Sequence, residues 1–152
     1  KFVSVSTDKI SRAWDIDQTY IHGDFDSGHK GEITNVILNQ IKDWIITSSA
    51  DRSIKIYSLE SLRLIHSYDY VHKGSILANI PLKDAYQIIE AITTISLSSC
   101  GRWLLSGSVD LTIHLFDLDP LPQPKPVKST YEAHAGFIDR DPFLVKLNFK
   151  KM

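Results

Sequence analysis

A single cysteine, Cys100, stands in a chain of 152 residues, so no internal disulfide can form. No Asn-x-Ser/Thr glycosylation acceptor occurs either. Both absences favour a reducing, intracellular compartment, cytoplasmic or nuclear. Charge of one sign is also lacking, since 17 Lys and Arg against 18 Asp and Glu leave a formal net charge of −1. Without a basic excess no global field holds a phosphate backbone, and nucleic-acid binding is disfavoured. No run approaches the roughly 18 apolar residues of a membrane span, and no signal peptide is visible. Glycine forms no phosphate-cradling loop ahead of a helix, because Ser106-Gly107-Ser108 falls within a strand pattern. No Gly-x-Ser-x-Gly turn is present. His22, Asp24 and Asp26 are residue types that bind metals, but they lack a closing ligand at a known spacing and read as a polar strand end. Cys100 sits at a hairpin turn in Ser-Ser-Cys-Gly-Arg-Trp, without the nearby His or basic pair of a reactive thiolate. No catalytic residue, metal, cofactor or small-molecule substrate is therefore assigned.

What the chain does have is a repeat. An aspartate is followed six residues later by an aromatic ring at Asp8/Trp14, Asp51/Tyr57 and Asp110/Phe116. Asp8 and Asp51 stand 43 residues apart, as do His29 and His72, so two markers give one register. Short runs rich in Ile, Val, Thr and Tyr flank each aspartate. In the second copy they extend over 33–39, 44–49, 53–59 and 63–70, separated by the turn signals Asn39-Gln40, Asp51-Arg52 and Glu60-Ser61. Four antiparallel strands per copy follow. Strand alternation places Ile54 and Ile56 on one face and Tyr57 and Leu59 on the other, so both faces are apolar, as a sheet sandwiched between two others requires.

Aligned on the aspartates, VSVSTDKISRAWDI, IITSSADRSIKIYSL and LLSGSVDLTIHLFDL superpose, and over about residues 2–138 the chain resembles the WD-repeat β-propeller family. The resemblance implies an all-β fold, a partial β-propeller of four-stranded antiparallel blades. The blades are expected at 1–27 (partial), 28–71 (complete) and 72–133, the last carrying a loop insertion at about 75–88. Residues 134–152 start a further blade or form a discontinuous tail. The resemblance also implies a hydrogen-bonded tetrad of His, Ser or Thr, Asp and ring. The matching positions are Ser4, Asp8 and Trp14 in the first copy and His29, Thr47, Asp51 and Tyr57 in the second. His72, Ser106, Asp110 and Phe116 match in the third, where Phe116 has no donor and the network has to be shorter or rerouted. Positions facing the channel mouth in the family fall on Thr7, Glu32, Thr34, Ala50, Ala91, Thr93, Val109 and Phe137, the expected partner-binding set.

Departures from the period are local. The third copy carries 16 residues beyond the 43-residue repeat, in which Pro81, Leu82, Ala85, Tyr86 and Ile89 fit a short amphipathic helix. Pro120, Pro122, Pro124 and Pro126 make a stiff extended connector between strands three and four, with no P-x-x-P ligand pattern. After His134 the register fades, although Phe143, Val145, Leu147 and Phe149 alternate with polar residues. The chain opens at Lys1 in mid-strand, so a larger propeller is expected, with the missing blades in sequence outside this chain or in another chain. The function expected is a non-catalytic protein–protein interaction scaffold in a multiprotein intracellular complex. The alternative is an accessory propeller of a larger enzyme whose catalytic domain lies outside this chain, and a third reading is a nucleic-acid-associated propeller.

Overall fold

The computed structural model describes residues 2–15, 20–72, 91–122 and 126–130, and among them all regular structure is β-strand. The chain forms β1 (Phe2–Val5), β2 (Ile10–Asp15) and β3 (Tyr20–Asp26), then β4 (Ile33–Asn39), β5 (Trp44–Ser49), β6 (Ile54–Ser58) and β7 (Leu64–Tyr68). After these come β8 (Ile92–Leu97), β9 (Trp103–Ser108), β10 (Ile113–Asp117) and β11 (Lys128–Thr130). They make three antiparallel sheets, β1-β2-β3, β4-β5-β6-β7 and β8-β9-β10-β11, each a meander in chain order. Strands drawn for the second copy from β-branched runs appear where expected, with the third and fourth trimmed at their ends.

The sheets stack face to face, and each seam holds an apolar cluster. Ile46, Ile54, Ile56 and Tyr68 of the second sheet pack against Ile92, Ile95, Leu104, Phe116 and Leu118 of the third. On the opposite face, Ile45, Tyr57 and Leu59 pack with Phe25 of the first sheet. Alternation along β6 thus sends Ile54 and Ile56 to one neighbour and Tyr57 to the other, as the period-two pattern predicts. Burying a side chain such as Ile46 stabilises by about 1.5–3 kcal/mol. The second sheet cannot satisfy both faces without both neighbours.

Polar staples fix how the sheets meet. Thr34 on β4 donates to the Ile92 carbonyl on β8 at 2.6 Å. Asn39, buried at the end of β4, donates to the Gly101 carbonyl at 2.8 Å. Lys42 reaches the Leu118 carbonyl at 2.8 Å and the Asp119 carboxylate at 3.0 Å. Gly101 has φ +69°, and a Cβ there would stand 2.7 Å from Asn39 Oδ1, so the turn needs glycine on two counts. The expected helix near Pro81, the insertion at 75–88, His134, Phe137 and the tail lie outside the described residues, as does 123–125 of the proline connector.

Candidate functional site

The corner between the second and third strands of each repeat copy is built the same way three times. Asp8, Asp51 and Asp110 each accept the backbone amide two residues on, from Ile10, Ser53 and Thr112, at 2.9 Å in every case. The intervening residue is left-handed although it is never glycine: Lys9 at φ 70°, Arg52 at 70°, Leu111 at 66°. An aspartate side chain that closes the turn offsets the cost of that conformation. Two residues before each aspartate stands a serine, Ser6, Ser49 or Ser108, whose hydroxyl accepts the aspartate amide at 3.3, 3.1 and 3.2 Å. This serine went unassigned from sequence, although Ser-x-Asp recurs in all three copies.

In the second sheet the corner closes over a buried imidazole. His29 Nδ1 lies 2.8 Å from Ser53 Oγ and 3.3 Å from Asp51 Oδ2, while Nε2 lies 2.8 Å from Thr47 Oγ1. Ser53 commits its proton to Asp51 at 2.5 Å, so Nδ1 must be the donor and Nε2 accepts from Thr47. Burial alone would raise the Asp51 carboxyl. Hydrogen bonds from His29, Ser53 and the Lys30 amide outweigh it and hold that group far below the ordinary carboxylate range. Gly31 is packed so tightly that a Cβ would lie 2.8 Å from the Asp51 amide nitrogen. Tyr57 turns its hydroxyl to the Ser27 carbonyl, and burial pushes its phenol well up. In the first sheet, Trp14 donates to Ser4 at 2.8 Å and stacks on Phe2.

The third sheet repeats the His–Asp–hydroxyl core and extends it. His72 Nδ1 meets Thr112 Oγ1 at 2.7 Å and Asp110 Oδ1 at 3.2 Å, and Nε2 meets Ser106 Oγ at 2.9 Å. Thr112 in turn lies 3.2 Å from His114 Nε2, and His114 Nδ1 lies 2.7 Å from Ser129 on β11. Thr112 donates to Asp110 at 2.6 Å, so both histidines must donate to Thr112. With Phe116 in the ring position, the network runs through His114 to the outer strand. Burial first, then the neighbouring His72, lowers His114 to about 4, so it is neutral at pH 7. Asp110 is held at about 2, with hydrogen bonds from His72 and Thr112 outweighing the burial that would raise it. Its Oδ2 has no partner among the described residues. The donor matching Lys30 would be the amide of Lys73, which lies outside them.

Across each seam one Phe and one Tyr face each other, with the hydroxyl exchanged. Phe25 meets Tyr57 at 4.9 Å, and Tyr68 meets Phe116 at 4.5 Å, tilted 56° and 51°. Phe25 and Tyr68 stand one repeat apart. Tyr57 has a carbonyl partner, whereas the buried Tyr68 hydroxyl has none among the described residues.

Of the channel-mouth set, the matched pairs occupy matched backbone positions. The Ala50 amide donates to the Glu32 carbonyl at 2.9 Å, and the Val109 amide to the Ala91 carbonyl at 3.4 Å. Thr34 and Thr93 are the bulged residues of β4 and β8, opposite corresponding breaks in register. Thr7 and Glu32 are exposed, and Ala50, Ala91 and Val109 are half-buried. Sequence reasoning missed Ser53, Thr112, His114 and Ser129. The first two carry a signal, a hydroxyl two residues after the aspartate, while His114 stands where the other copies have Arg12 and Lys55.

Elsewhere, Asp24 pairs with Arg12 at 3.2 Å and Asp26 accepts the Gly28 amide at 2.8 Å. Among the described residues no group of three His, Cys, Asp or Glu is gathered as for a metal. No helix among them is long and apolar enough to cross a membrane. Cys100 lies exposed in the β8–β9 turn, its thiol lowered chiefly by the Ser98 hydroxyl at 3.2 Å. Residues 19–58 and 87–117 match the family model described as WD domain, G-beta repeat. No curated protein matches the chain.

Proposed function

We propose that the chain, whose two matched segments and stacked blade-like sheets support the WD-repeat reading, docks protein partners within a multiprotein intracellular complex. Domains of this family generally act as interaction scaffolds, bind protein partners and are typically non-catalytic. The observation that carries the reading is the repeated corner. Asp51 and Asp110 hold equivalent turns through equivalent bonds, and the rim pairs Ala50/Glu32 and Val109/Ala91 hang from them. A rim fixed in this way loses little conformational freedom on binding, which favours affinity without chemistry. A single thiol, exposed and unpaired, supports a reducing compartment.

Affinity capture of the full-length protein at native level, with mass spectrometry, tests this. Recovery of stable partners is expected, and their loss from an Ala91→Arg/Val109→Arg variant with unchanged melting would assign the rim. A full-length chain that captures nothing, or that turns out to carry a catalytic domain served by this propeller, would replace the scaffold reading with the accessory one.

A further inference from the structure

Beside the Asp51 corner of the second sheet a pocket of about 560 Å³ opens, lined by Gly28, Lys30, Arg52, Lys55, Asp69 and Tyr70 among others. It adjoins the channel-mouth set without coinciding with it, sharing Ala50 alone. Three cationic side chains converge there from three elements. Lys30 follows the buried histidine, Arg52 is the left-handed tip of the Asp51 corner, and Lys55 projects from β6. Lys30 and Lys55 have no carboxylate partner among the described residues. The Arg52 guanidinium lies over the Tyr70 ring at 5.1 Å, and Tyr70 is 64% exposed, so the wall is both cationic and aromatic.

Two carboxylates, Asp51 and Asp69, also line the pocket. Asp51 is committed to the Lys30 amide, the Ser53 amide and hydroxyl, and His29. Asp69 accepts from the Ser67 hydroxyl at 2.8 Å and forms one edge. The floor is rigid, because the Val71 amide donates to the Arg52 carbonyl at 3.1 Å and Asp51 ties Lys30 to the corner. A rigid concave site with convergent cations and an aromatic wall suits an extended chain bearing carboxylates, whose backbone lies on the ring while its anions meet the ammonium groups.

We propose that this pocket is a docking site for an acidic peptide segment of a partner protein, recognised by Lys30 and Lys55 with Arg52 and Tyr70 as its wall. The inference rests on the scaffold reading and names the chemistry of one partner contact. The test is fluorescence anisotropy of the full-length protein with a labelled peptide of alternating Glu and Ser, against a Gln-and-Ser control. The acidic peptide should bind and the control should not. Lys30→Glu/Lys55→Glu should weaken binding about tenfold or more, and so should raising NaCl from about 50 to 300 mM. Lys30→Arg/Lys55→Arg should retain it. Equal binding of both peptides, charge reversal without effect, or tighter binding of a single-stranded oligonucleotide than of the acidic peptide would each overturn the proposal. Failure here is separable from failure of the scaffold reading. Wild type that captures partners but shows no charge-dependent peptide binding sinks only the pocket, whereas wild type that captures nothing sinks the scaffold.

Discussion

Asp51 and Asp110 carry more than Asp8, because each closes a turn and also holds a buried imidazole. Asp8 is exposed, and among the described residues its partners are the Ile10 amide, Ser6 and the nearby Arg12 charge. Asp51→Ala is expected to cost about 1–3 kcal/mol in denaturant melts, since it strands the His29 and Ser53 donors. Asp8→Ala should cost clearly less, and equal losses would mean that the histidine contact contributes nothing. The pH dependence follows from the same groups. His114 is depressed from 6.5 to about 4 in the fold, so between those values the unfolded chain binds the proton and the folded one does not. Stability from this group is full above about pH 6.5 and is lost as pH falls toward 4. Asp110, depressed from 3.8 to about 2, adds a loss only below about pH 4. His114→Gln should reduce the slope of the pH 6.5–4 part of a stability profile, leaving the share of His66, which burial also lowers, and the lower limb. An unchanged profile would show that His114 does not titrate this way.

Pairs of strands from different sheets, and not strands alone, decide what each aromatic ring does. The β3–β6 pair places its hydroxyl on Tyr57, where the Ser27 carbonyl accepts it, and the β7–β10 pair places its hydroxyl on Tyr68, where no described residue does. Tyr57→Phe should destabilise by about 1 kcal/mol, by leaving a buried carbonyl unpaired. Tyr68→Phe should be neutral or stabilising, because it removes a desolvated hydroxyl without breaking a bond. Calorimetric melting of the two variants checks both, and a destabilised Tyr68→Phe would reveal a partner for that hydroxyl. The β10 strand shows the same logic with polar groups. His114 occupies a position that is Lys55 one sheet earlier, and there the network gains an outer-strand anchor at Ser129.

Over the whole molecule, stability is a property of neighbouring sheets. Ile46, Ile54 and Ile56 are fully buried only because the third sheet covers them. Thr34, Asn39 and Lys42 then fasten the second sheet to the third at three points along the seam. Sheets joined in this way should open together, so amides of β5 and β9 are expected to exchange hydrogen with the same free energy. Asn39→Ala removes a buried bond to Gly101 and should let β9 exchange faster than β5. Uncoupled exchange in the wild-type protein would show that each sheet stands alone.

The period, the strand positions in the second copy, the repeated aspartates and the His–Asp registration were legible in the residues, because they depend on contacts within a turn or on alternation along one strand. An aspartate that caps the amide two residues ahead has the same neighbours in any fold that keeps the turn, so Asp8, Asp51 and Asp110 announce themselves. The Tyr57 and Tyr68 hydroxyls, the His114 bridge to Ser129 and the joining of Lys30, Lys55 and Tyr70 in one pocket were decided only by the tertiary structure. Those partners come from segments far apart in sequence or from a neighbouring sheet, and which atoms meet depends on how closely two seams approach.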